Sequence, residues 1–321
     1  MSSKIVIPDD SPAVISGTPA LDRIRNAGDV TVYTTPPASK EALLERITGA
    51  HTVVNIRAYC KFPRDVLEAI SSTTRHLAIW GTGTDNVDLE AAAALGVVVS
   101  NTPNTATDAI AEHALALLLA VARRTPQVDA SVKRGEWIRG MLYQCYGKTL
   151  GIVGTGVIGT RFAQLARAVG MNVIAWTFNP DPAKAAGVGF RYVSDLDELL
   201  GESDIVSLHL RSSDRTRGLF SDREFAVMKT GAIFINTARG DIVDEKALVS
   251  ALTSGKLLGA GLDVFTEEPV SKTSLLLGLH NVVLSPHTAG TTPEALQNGL
   301  MRCADNVAAF IRTGQVINRV V

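Results

Sequence analysis

The sequence lacks the features that mark secreted, metal-binding, nucleic-acid-binding or membrane proteins. Its three cysteines, Cys60, Cys145 and Cys303, are an odd number without metal-ligand spacing, so we predict neither disulfides nor a metal site. The net charge of −1 provides no basic excess for nucleic acid or anionic lipid. The most apolar helical stretch, residues 109–122, is too short to cross a bilayer, and the first residues lack the apolar run of a secretory signal. We therefore expect a cytoplasmic protein that acts on small molecules, with no nucleic-acid or membrane partner.

What the sequence does contain is two series of short apolar runs separated by amphipathic stretches. The first series comprises KIVI (4–7), VTVY (30–33), TVVNI (52–56), LAIW (77–80) and VVVS (97–100). The second comprises TLGIVG (149–154), NVIAW (172–176), DIVSLHL (204–210), AIFINT (232–237), LGAGLDVF (258–265) and NVVLSP (281–286). Such alternation is typical of β-α units on a parallel sheet. We predict an α/β fold of two Rossmann-like or flavodoxin-like parallel-sheet domains with a cleft between them.

Two longer segments have helical periodicity instead. The Ala/Leu-rich segment from Asp108 to Arg124 has Asp108 as a candidate N-cap, and Arg123 and Arg124 suit its C-terminal end. The segment after Pro293 places four apolar residues on one helical stripe, namely Leu296, Leu300, Ala304 and Val307.

The strongest motif is a glycine pattern, GxGxxG, at residues 154–159. By itself this pattern is weak, because glycine-rich turns also occur without a ligand. Here it directly follows an apolar run and opens an amphipathic helix, which is the context of a dinucleotide-binding turn. Gly154 would permit the tight turn, Gly156 the approach of a pyrophosphate to the backbone, and Gly159 the close packing of helix on strand. The helix N-terminus would supply partial positive charge.

The residues that follow the next apolar run, NVIAW (172–176), do not decide between NAD and NADP. The dinucleotide pattern expects an acid there to hold the ribose 2′-hydroxyl of NAD, but this run ends in Thr177. A neutral residue does not repel a 2′-phosphate, so we predict NAD or NADP as the cofactor. Phe178, Asn179 and Pro180 provide no cation, whereas Arg211, after the following run, is a candidate for the adenosine end. An exposed surface arginine is the alternative interpretation of Arg211.

Candidate catalytic and ligand-binding residues directly follow the apolar runs. In open parallel sheets, ligands bind beyond the carboxyl ends of the strands. The candidates are His209, Thr237, Ala238, Arg239, Asp263, Glu268, Ser285 and His287.

These residue types suit hydride transfer to or from the C2 carbon of a small 2-oxo or 2-hydroxy acid, because such a substrate offers a carboxylate and a carbonyl oxygen that must gain a proton. We assign Arg239 to the carboxylate and carbonyl oxygen, His287 to proton transfer, and Glu268 to orienting the imidazole. Asp263 would face the nicotinamide amide. Taken singly, each has a structural alternative: an ion-pair arginine, a satisfied histidine or a turn acid. His113, like the remaining histidines outside this set, is interpreted as structural.

The chain also resembles a known family, the D-isomer-specific 2-hydroxyacid dehydrogenases, which includes phosphoglycerate dehydrogenase and glyoxylate/hydroxypyruvate reductase. The resemblance extends over nearly the whole chain. It is carried by GTGTDNVD (81–88), NTP (101–103), AEHALALLLA (111–120), GKTLGIVGTGVIG (147–159), NTARGDIVDEKAL (236–248), GLDVFTEEP (261–269) and SPHTAGTT (285–292).

The resemblance implies that Arg239, Glu268 and His287 are catalytic and that Arg57 and Gly83 face the substrate. It implies residues 1–103 with 292–321 as a discontinuous substrate-binding domain, residues 104–291 as the dinucleotide-binding domain, and a homodimer formed through the latter. The residues expected at the cofactor are Thr82, Thr107, Gly154, Gly156, Val157, Ile158, Gly159, Thr177, His209, Arg211, Thr216, Thr237, Ala238, Asp263 and Gly290.

Two departures from the family pattern matter. Thr177 replaces the usual acid and Arg211 replaces a common proline, which weakens the expectation of NAD over NADP. Glu268 stands where formate dehydrogenases have glutamine, which argues against formate. Two other functions remain on the same fold: a dinucleotide-sensing, corepressor-like binding protein, and a phosphite-type dehydrogenase.

Overall fold

The computed structural model describes residues 3–56 and 60–321, and these residues form twelve strands and twelve α-helices. The strands are β1 (Lys4–Ile7), β2 (Asp29–Val32), β3 (Thr52–Ile56), β4 (His76–Trp80), β5 (Val98–Ser100), β6 (Thr149–Val153), β7 (Asn172–Trp176), β8 (Arg191–Tyr192), β9 (Ile205–Leu208), β10 (Ala232–Asn236), β11 (Leu257–Leu262) and β12 (Val282–Leu284).

The helices follow most of these strands. They are α1 (Pro19–Arg25), α2 (Lys40–Ile47), α3 (Arg64–Ile70), α4 (Leu89–Ala94), α5 (Thr107–Arg123), α6 (Thr125–Lys133), α7 (Val157–Ala168), α8 (Pro182–Val188), α9 (Leu196–Glu202), α10 (Asp222–Val227), α11 (Glu245–Thr253) and α12 (Pro293–Thr313). Short 3₁₀ helices span Gly240–Ile242 and Leu275–Gly278. Among the described residues, no helix combines the length and the apolar character needed to span a bilayer.

One compact unit consists of the chain up to Ala106 together with Thr292–Val321. Its sheet is parallel, in the order β2-β1-β3-β4-β5, which is the flavodoxin-like arrangement. Successive residues of β1 point to opposite faces of the sheet. Ile5 packs with residues of α1 and α12, whereas Val6 packs with residues of α2 and α3. Because both faces are covered, the strands have continuous apolar sequences.

The second compact unit is Thr107–Thr291. Its seven parallel strands have the order β12-β11-β10-β9-β6-β7-β8. The chain runs outward from β6 to β8 and then crosses back to β9, on the other side of β6. That reversal is the Rossmann switch point, where ligands bind beyond the carboxyl ends of the strands. The prediction of two parallel-sheet α/β domains is confirmed.

The C-terminal helix α12 has the predicted stripe. Its N-cap Thr292 accepts a hydrogen bond from the Ala295 N–H at 3.2 Å, and Pro293 occupies the first turn, where its missing N–H costs little. Leu300, Ala304 and Val307 are fully buried in the first unit, and Leu296 packs beside them.

Helix α5 starts earlier than predicted. Thr107 is already helical, so Asp108 lies in the first turn and is not the N-cap. The physical reason is a different partner for the carboxylate, because Asp108 pairs with Arg161 of α7 at 2.6 Å. Arg123 ends the helix, whereas Arg124 adopts a left-handed φ of +50° before α6. Strand β8 was not predicted, because two residues carry no periodicity.

Candidate active site

The glycine turn joins β6 to α7 at the switch point. Gly154 has a φ of +101°, which favours glycine, and a Cβ atom there would stand 2.8 Å from the His209 carbonyl oxygen. Gly159 is buried where α7 crosses β6, and a Cβ there would overlap the Gly154 carbonyl oxygen. Both glycines therefore let the helix lie close to the strand.

The outer surface of this turn is open. A Cβ atom on Gly156 would meet nothing within 4 Å, and the neighbouring Val157 is 51% exposed although it is apolar. Gly156 is also the N-cap of α7, so no cap side chain accepts a hydrogen bond from the first N–H groups of the helix. These features fit an anionic pyrophosphate lying on the helix N-terminus.

A second feature that fits a bound cofactor follows β10. Thr237 is 8% exposed, and its buried hydroxyl oxygen has no hydrogen-bond partner among the described residues. A buried hydroxyl without a partner costs free energy, which a ligand at this strand end would recover. The next residue, Ala238, is buried, and its N–H donates to Asn236 Oδ1 at 2.9 Å.

His287 forms a close pair with Glu268, the residue predicted to orient it. Imidazole Nδ1 lies 2.7 Å from Glu268 Oε2, and the other carboxylate oxygen accepts the Phe265 N–H at 3.0 Å. Burial would raise the pKa of Glu268, but the hydrogen bonds from His287 and Phe265 and the charges of His287 and Arg239 outweigh it, so the pKa lies below its ordinary value. An ionised carboxylate can only accept, so Nδ1 donates and Nε2 is left for a substrate.

Arg239 lies at the end of the neighbouring strand. It follows β10, it is half-buried, and its Nη1 donates to the Ala238 carbonyl at 2.8 Å. Its charge contributes to the lowered pKa of Glu268, which places the guanidinium within electrostatic reach of the His287–Glu268 pair. The structure thus brings together the three residues that the sequence assigned to catalysis.

The loop that carries His287 is held by Asp263. This carboxylate is 1% exposed and accepts hydrogen bonds from Ser285 Oγ at 2.6 Å and from the N–H groups of Thr288 and Ala289 at 2.9 Å. The Asp263 carbonyl oxygen also accepts the His287 N–H at 2.8 Å. These bonds stabilise the left-handed φ of +54° at His287, a conformation that a non-glycine residue adopts at a cost. The expected contact of Asp263 with the nicotinamide amide stays a prediction.

His113 belongs to the same network, which the sequence interpretation missed. From α5 its Nε2 lies 2.8 Å from Ser285 Oγ and 3.5 Å from Asp263 Oδ1. Helix α5 thereby stabilises the loop that carries His287, although His113 and Ser285 are 172 positions apart in the sequence. Nothing in the spacing of the two segments indicates this contact, because it depends on how α5 packs on the sheet.

At the other end of the sheet edge, the predicted cofactor residues follow β7 and β9. Thr177 is half-buried. His209 is held by Ser207 Oγ at 2.9 Å from Nε2, and burial lowers its pKa to about 3, so it is neutral at working pH. Thr216 is 3% exposed and donates to the Arg211 carbonyl at 2.7 Å. Arg211 itself is exposed, and its guanidinium makes no hydrogen bond or ion pair within residues 3–56 and 60–321.

The remaining predicted residues lie on several elements of the two units. Thr107 is the first residue of α5, Ile158 lies in the first turn of α7, and Gly290 follows the His287 loop. Thr82 and Gly83 belong to the first unit, in the loop after β4, where the Thr82 carbonyl accepts a hydrogen bond from Asn101 Nδ2 at 2.8 Å. Arg57 lies outside the described residues.

Comparison with known proteins gives a consistent result. Residues 115–289 match the model of the D-isomer specific 2-hydroxyacid dehydrogenase NAD binding domain. A glyoxylate reductase from Thermococcus litoralis is 40% identical over 286 residues, which are 86% of this chain and 85% of that protein. A D-3-phosphoglycerate dehydrogenase from Methanocaldococcus jannaschii is 38% identical over 304 residues, which are 94% of this chain but 57% of that protein. The chain spans about half the length of the phosphoglycerate dehydrogenases it matches.

Solved structures share the architecture. A crystal structure of an NADPH-dependent glyoxylate/hydroxypyruvate reductase from Sinorhizobium meliloti, in complex with NADP and malonate, has a TM-score of 0.86 and 28% sequence identity. The alignment covers 100% of this chain and 97% of that chain.

Proposed function

This chain belongs to the D-isomer specific 2-hydroxyacid dehydrogenase family and contains its NAD-binding domain, so its cofactor is NAD or NADP, and from that premise we propose that it is an oxidoreductase acting on the C2 carbon of a small 2-oxo or 2-hydroxy acid. Glyoxylate, hydroxypyruvate and 3-phosphoglycerate are the substrate types suggested by the names of its relatives.

The observation that carries this proposal is the His287–Glu268 pair, within electrostatic reach of Arg239 and on the same sheet edge as the glycine turn. All parallel strands of the second unit end at this edge, so a ligand on the glycine turn extends toward the ends of β9 and β10. A structural role alone would not require a left-handed histidine paired with a carboxylate at one strand end and a buried, unpartnered hydroxyl, that of Thr237, at another.

In the proposed mechanism, the bound reduced nicotinamide supplies the hydride. Arg239 binds the substrate carboxylate through its planar guanidinium and polarises the carbonyl oxygen. Protonated His287 donates its Nε2 proton to that oxygen as negative charge develops. Glu268 stays ionised, holds Nδ1–H at 2.7 Å and stabilises the imidazolium. In the oxidative direction His287 accepts the same proton.

We further propose that the first unit binds the substrate side chain. The loop after β4 supports this role because it contains two glycines, Gly81 at a φ of +141° and the half-buried Gly83, whose lack of a side chain lets a ligand approach the backbone. Arg57 is proposed to contribute a charge to the same subsite.

A homodimer formed through the second unit is also proposed. It is supported by a group of exposed apolar side chains on α6 and in the following segment, where Trp137 is 76% and Met141 is 97% exposed. Exposed apolar surface of this kind marks an interface. We expect the wild-type protein to be a dimer in sedimentation equilibrium. The double variant Trp137→Ser/Met141→Ser should be a monomer. A monomeric wild-type protein would refute the proposal.

Absorbance at 340 nm tests the activity. We would screen glyoxylate, hydroxypyruvate, pyruvate and 3-phosphohydroxypyruvate with NADH and with NADPH. His287→Ala should reduce kcat by about 100- to 10,000-fold, the usual size of general acid catalysis, without changing dinucleotide affinity. His280→Ala is the matched control, because His280 is exposed on the same unit and its side chain is not part of the site. Absence of turnover with all four acids, or full turnover by His287→Ala, would contradict the proposal.

A further inference from the structure

The end of β7 presents an aromatic side chain beneath an arginine. Phe178 follows Thr177 and is fixed edge-on against Trp176, with ring centroids 4.9 Å apart. The Arg215 guanidinium lies over the Phe178 ring, 4.2 Å from its centroid. Arg215 comes from the loop after β9, so this contact joins the two loops on either side of β6 at the switch point.

The N–H donors of this guanidinium are available to a ligand. Its contact with the Phe178 ring is a cation–π contact, and the Arg215 guanidinium makes no hydrogen bond or ion pair among the described residues. No carboxylate pairs with Arg215 in the part of the chain that the structure describes, and the adjacent Asp214 is 3.8 Å from Arg217 instead. A planar fork of this kind is suited to a phosphate, which it binds through two parallel hydrogen bonds.

A second cation reaches the glycine turn itself. Lys184, from α8, donates from Nζ to the Thr155 carbonyl at 3.0 Å. Thr155 is 5% exposed and is fixed by a 2.8 Å hydrogen bond between its hydroxyl and that of Tyr192. The nearby carboxylate of Asp181 accepts the N–H groups of Ala183 and Lys184 as the N-cap of α8. Two of the three Lys184 N–H donors remain for a ligand.

We propose that Arg215 and Lys184 form a binding site for the 2′-phosphate of NADP beside Thr177, and that this chain therefore prefers NADPH to NADH. The inference rests on the proposed function, since it assumes a dinucleotide on the glycine turn. Thr177 contributes by lacking the carboxylate that would repel the phosphate. Arg215 and Lys184 replace Arg211, the candidate from the sequence. Among the described residues, the Arg211 guanidinium makes no contact that would hold it toward Thr177.

The test uses two nucleotides that differ only in the 2′-phosphate, 5′-AMP and adenosine 2′,5′-bisphosphate, titrated into the full chain by calorimetry. We expect the wild-type protein to bind the bisphosphate about 10- to 100-fold more tightly, as for one or two charge-assisted phosphate contacts. This preference should shrink as salt is raised, because both cations are near the surface. NADPH and NADH should show the same ratio by cofactor fluorescence, without any turnover.

Three variants then assign the residues. Arg215→Gln should lose about 10-fold or more in affinity for the bisphosphate while its affinity for 5′-AMP changes less than about 2-fold. Lys184→Met should show a smaller loss of the same type. Arg211→Gln is the matched control on the Arg215 loop and should bind both nucleotides like the wild-type protein. Thermal unfolding of each variant checks that the fold is intact.

The possible failures are distinguishable. Equal binding of the two nucleotides by the wild-type protein would overturn the 2′-phosphate site and leave the dehydrogenase proposal standing. Loss of the preference in Arg211→Gln instead of Arg215→Gln would overturn the assignment. If the wild-type protein bound neither nucleotide, nor NADH, the glycine turn would not be a dinucleotide site, and both proposals would fail.

Discussion

Alanine at two positions of the glycine turn should separate its structural role from its binding role. At Gly159 a new Cβ would overlap the Gly154 carbonyl oxygen and stand 3.1 Å from His209 Cβ and 3.2 Å from Ile152 Cγ2. These atoms belong to backbone and to packed side chains, so they cannot yield without moving α7. At Gly156 a new Cβ would meet nothing within 4 Å, and its φ of −63° and ψ of −173° suit alanine.

The expected magnitudes differ accordingly. Overpacking at Gly159 should cost about 1–3 kcal/mol in unfolding free energy. For a unit of this size, that loss corresponds to a fall in Tm of roughly 2–12 °C. Gly156→Ala should change stability by less than about 0.5 kcal/mol. Its methyl group instead occupies the space proposed for the pyrophosphate, and the loss of one charge-assisted hydrogen bond would weaken dinucleotide binding by about 10- to 100-fold.

Two assays distinguish the variants: thermal unfolding without ligand, and fluorescence titration with NADPH and NADH. If Gly156→Ala bound both dinucleotides like the wild-type protein, the open side of the turn would not be the pyrophosphate site. A Gly159→Ala protein with unchanged Tm would show that α7 does not lie as close to β6 as the structure indicates.

Three further perturbations address the remaining parts of the chain. Glu268→Gln should lower kcat about 10- to 100-fold with a smaller change in KM, because the imidazolium loses its ionised partner while Arg239 still binds substrate; an unchanged kcat would exclude the orienting role. His113→Phe should lower kcat about 10-fold by releasing the His287 loop, with partial recovery in His113→Gln, which can still reach Ser285; equal kcat in both variants would contradict this. Burial lowers the pKa of His76 from 6.5 to about 3, so the unfolded chain takes up a proton between these pH values that the folded chain does not. Stability is therefore complete above pH 6.5 and falls as pH decreases, by about 2 kcal/mol at pH 5 from this group. His76→Gln should flatten the dependence of the urea midpoint on pH, and an unchanged slope would refute the assignment.

From the sequence alone we could predict the fold class and select candidate catalytic residues that lie at one edge of a sheet. Continuous apolar runs indicate parallel strands buried on both faces, because covering both faces of a sheet requires apolar side chains at every position. The glycine turn could be predicted because the required backbone conformation and close packing restrict these positions to glycine. The proximity of Arg239, Glu268 and His287 could be predicted because parallel strands end at one edge, so residues that follow the apolar runs lie near one another.

The side chains that support these residues could be identified only from the three-dimensional packing. His113 and Ser285 are 172 positions apart, and their hydrogen bond depends on how α5 packs against the end of β12. Likewise, Arg215 and not Arg211 lies over Phe178, because the side-chain direction in a loop after a strand depends on the local turn and not on distance along the chain. Long-range contacts of this kind leave no periodicity in a single sequence, since neither partner alone has an unusual composition or spacing.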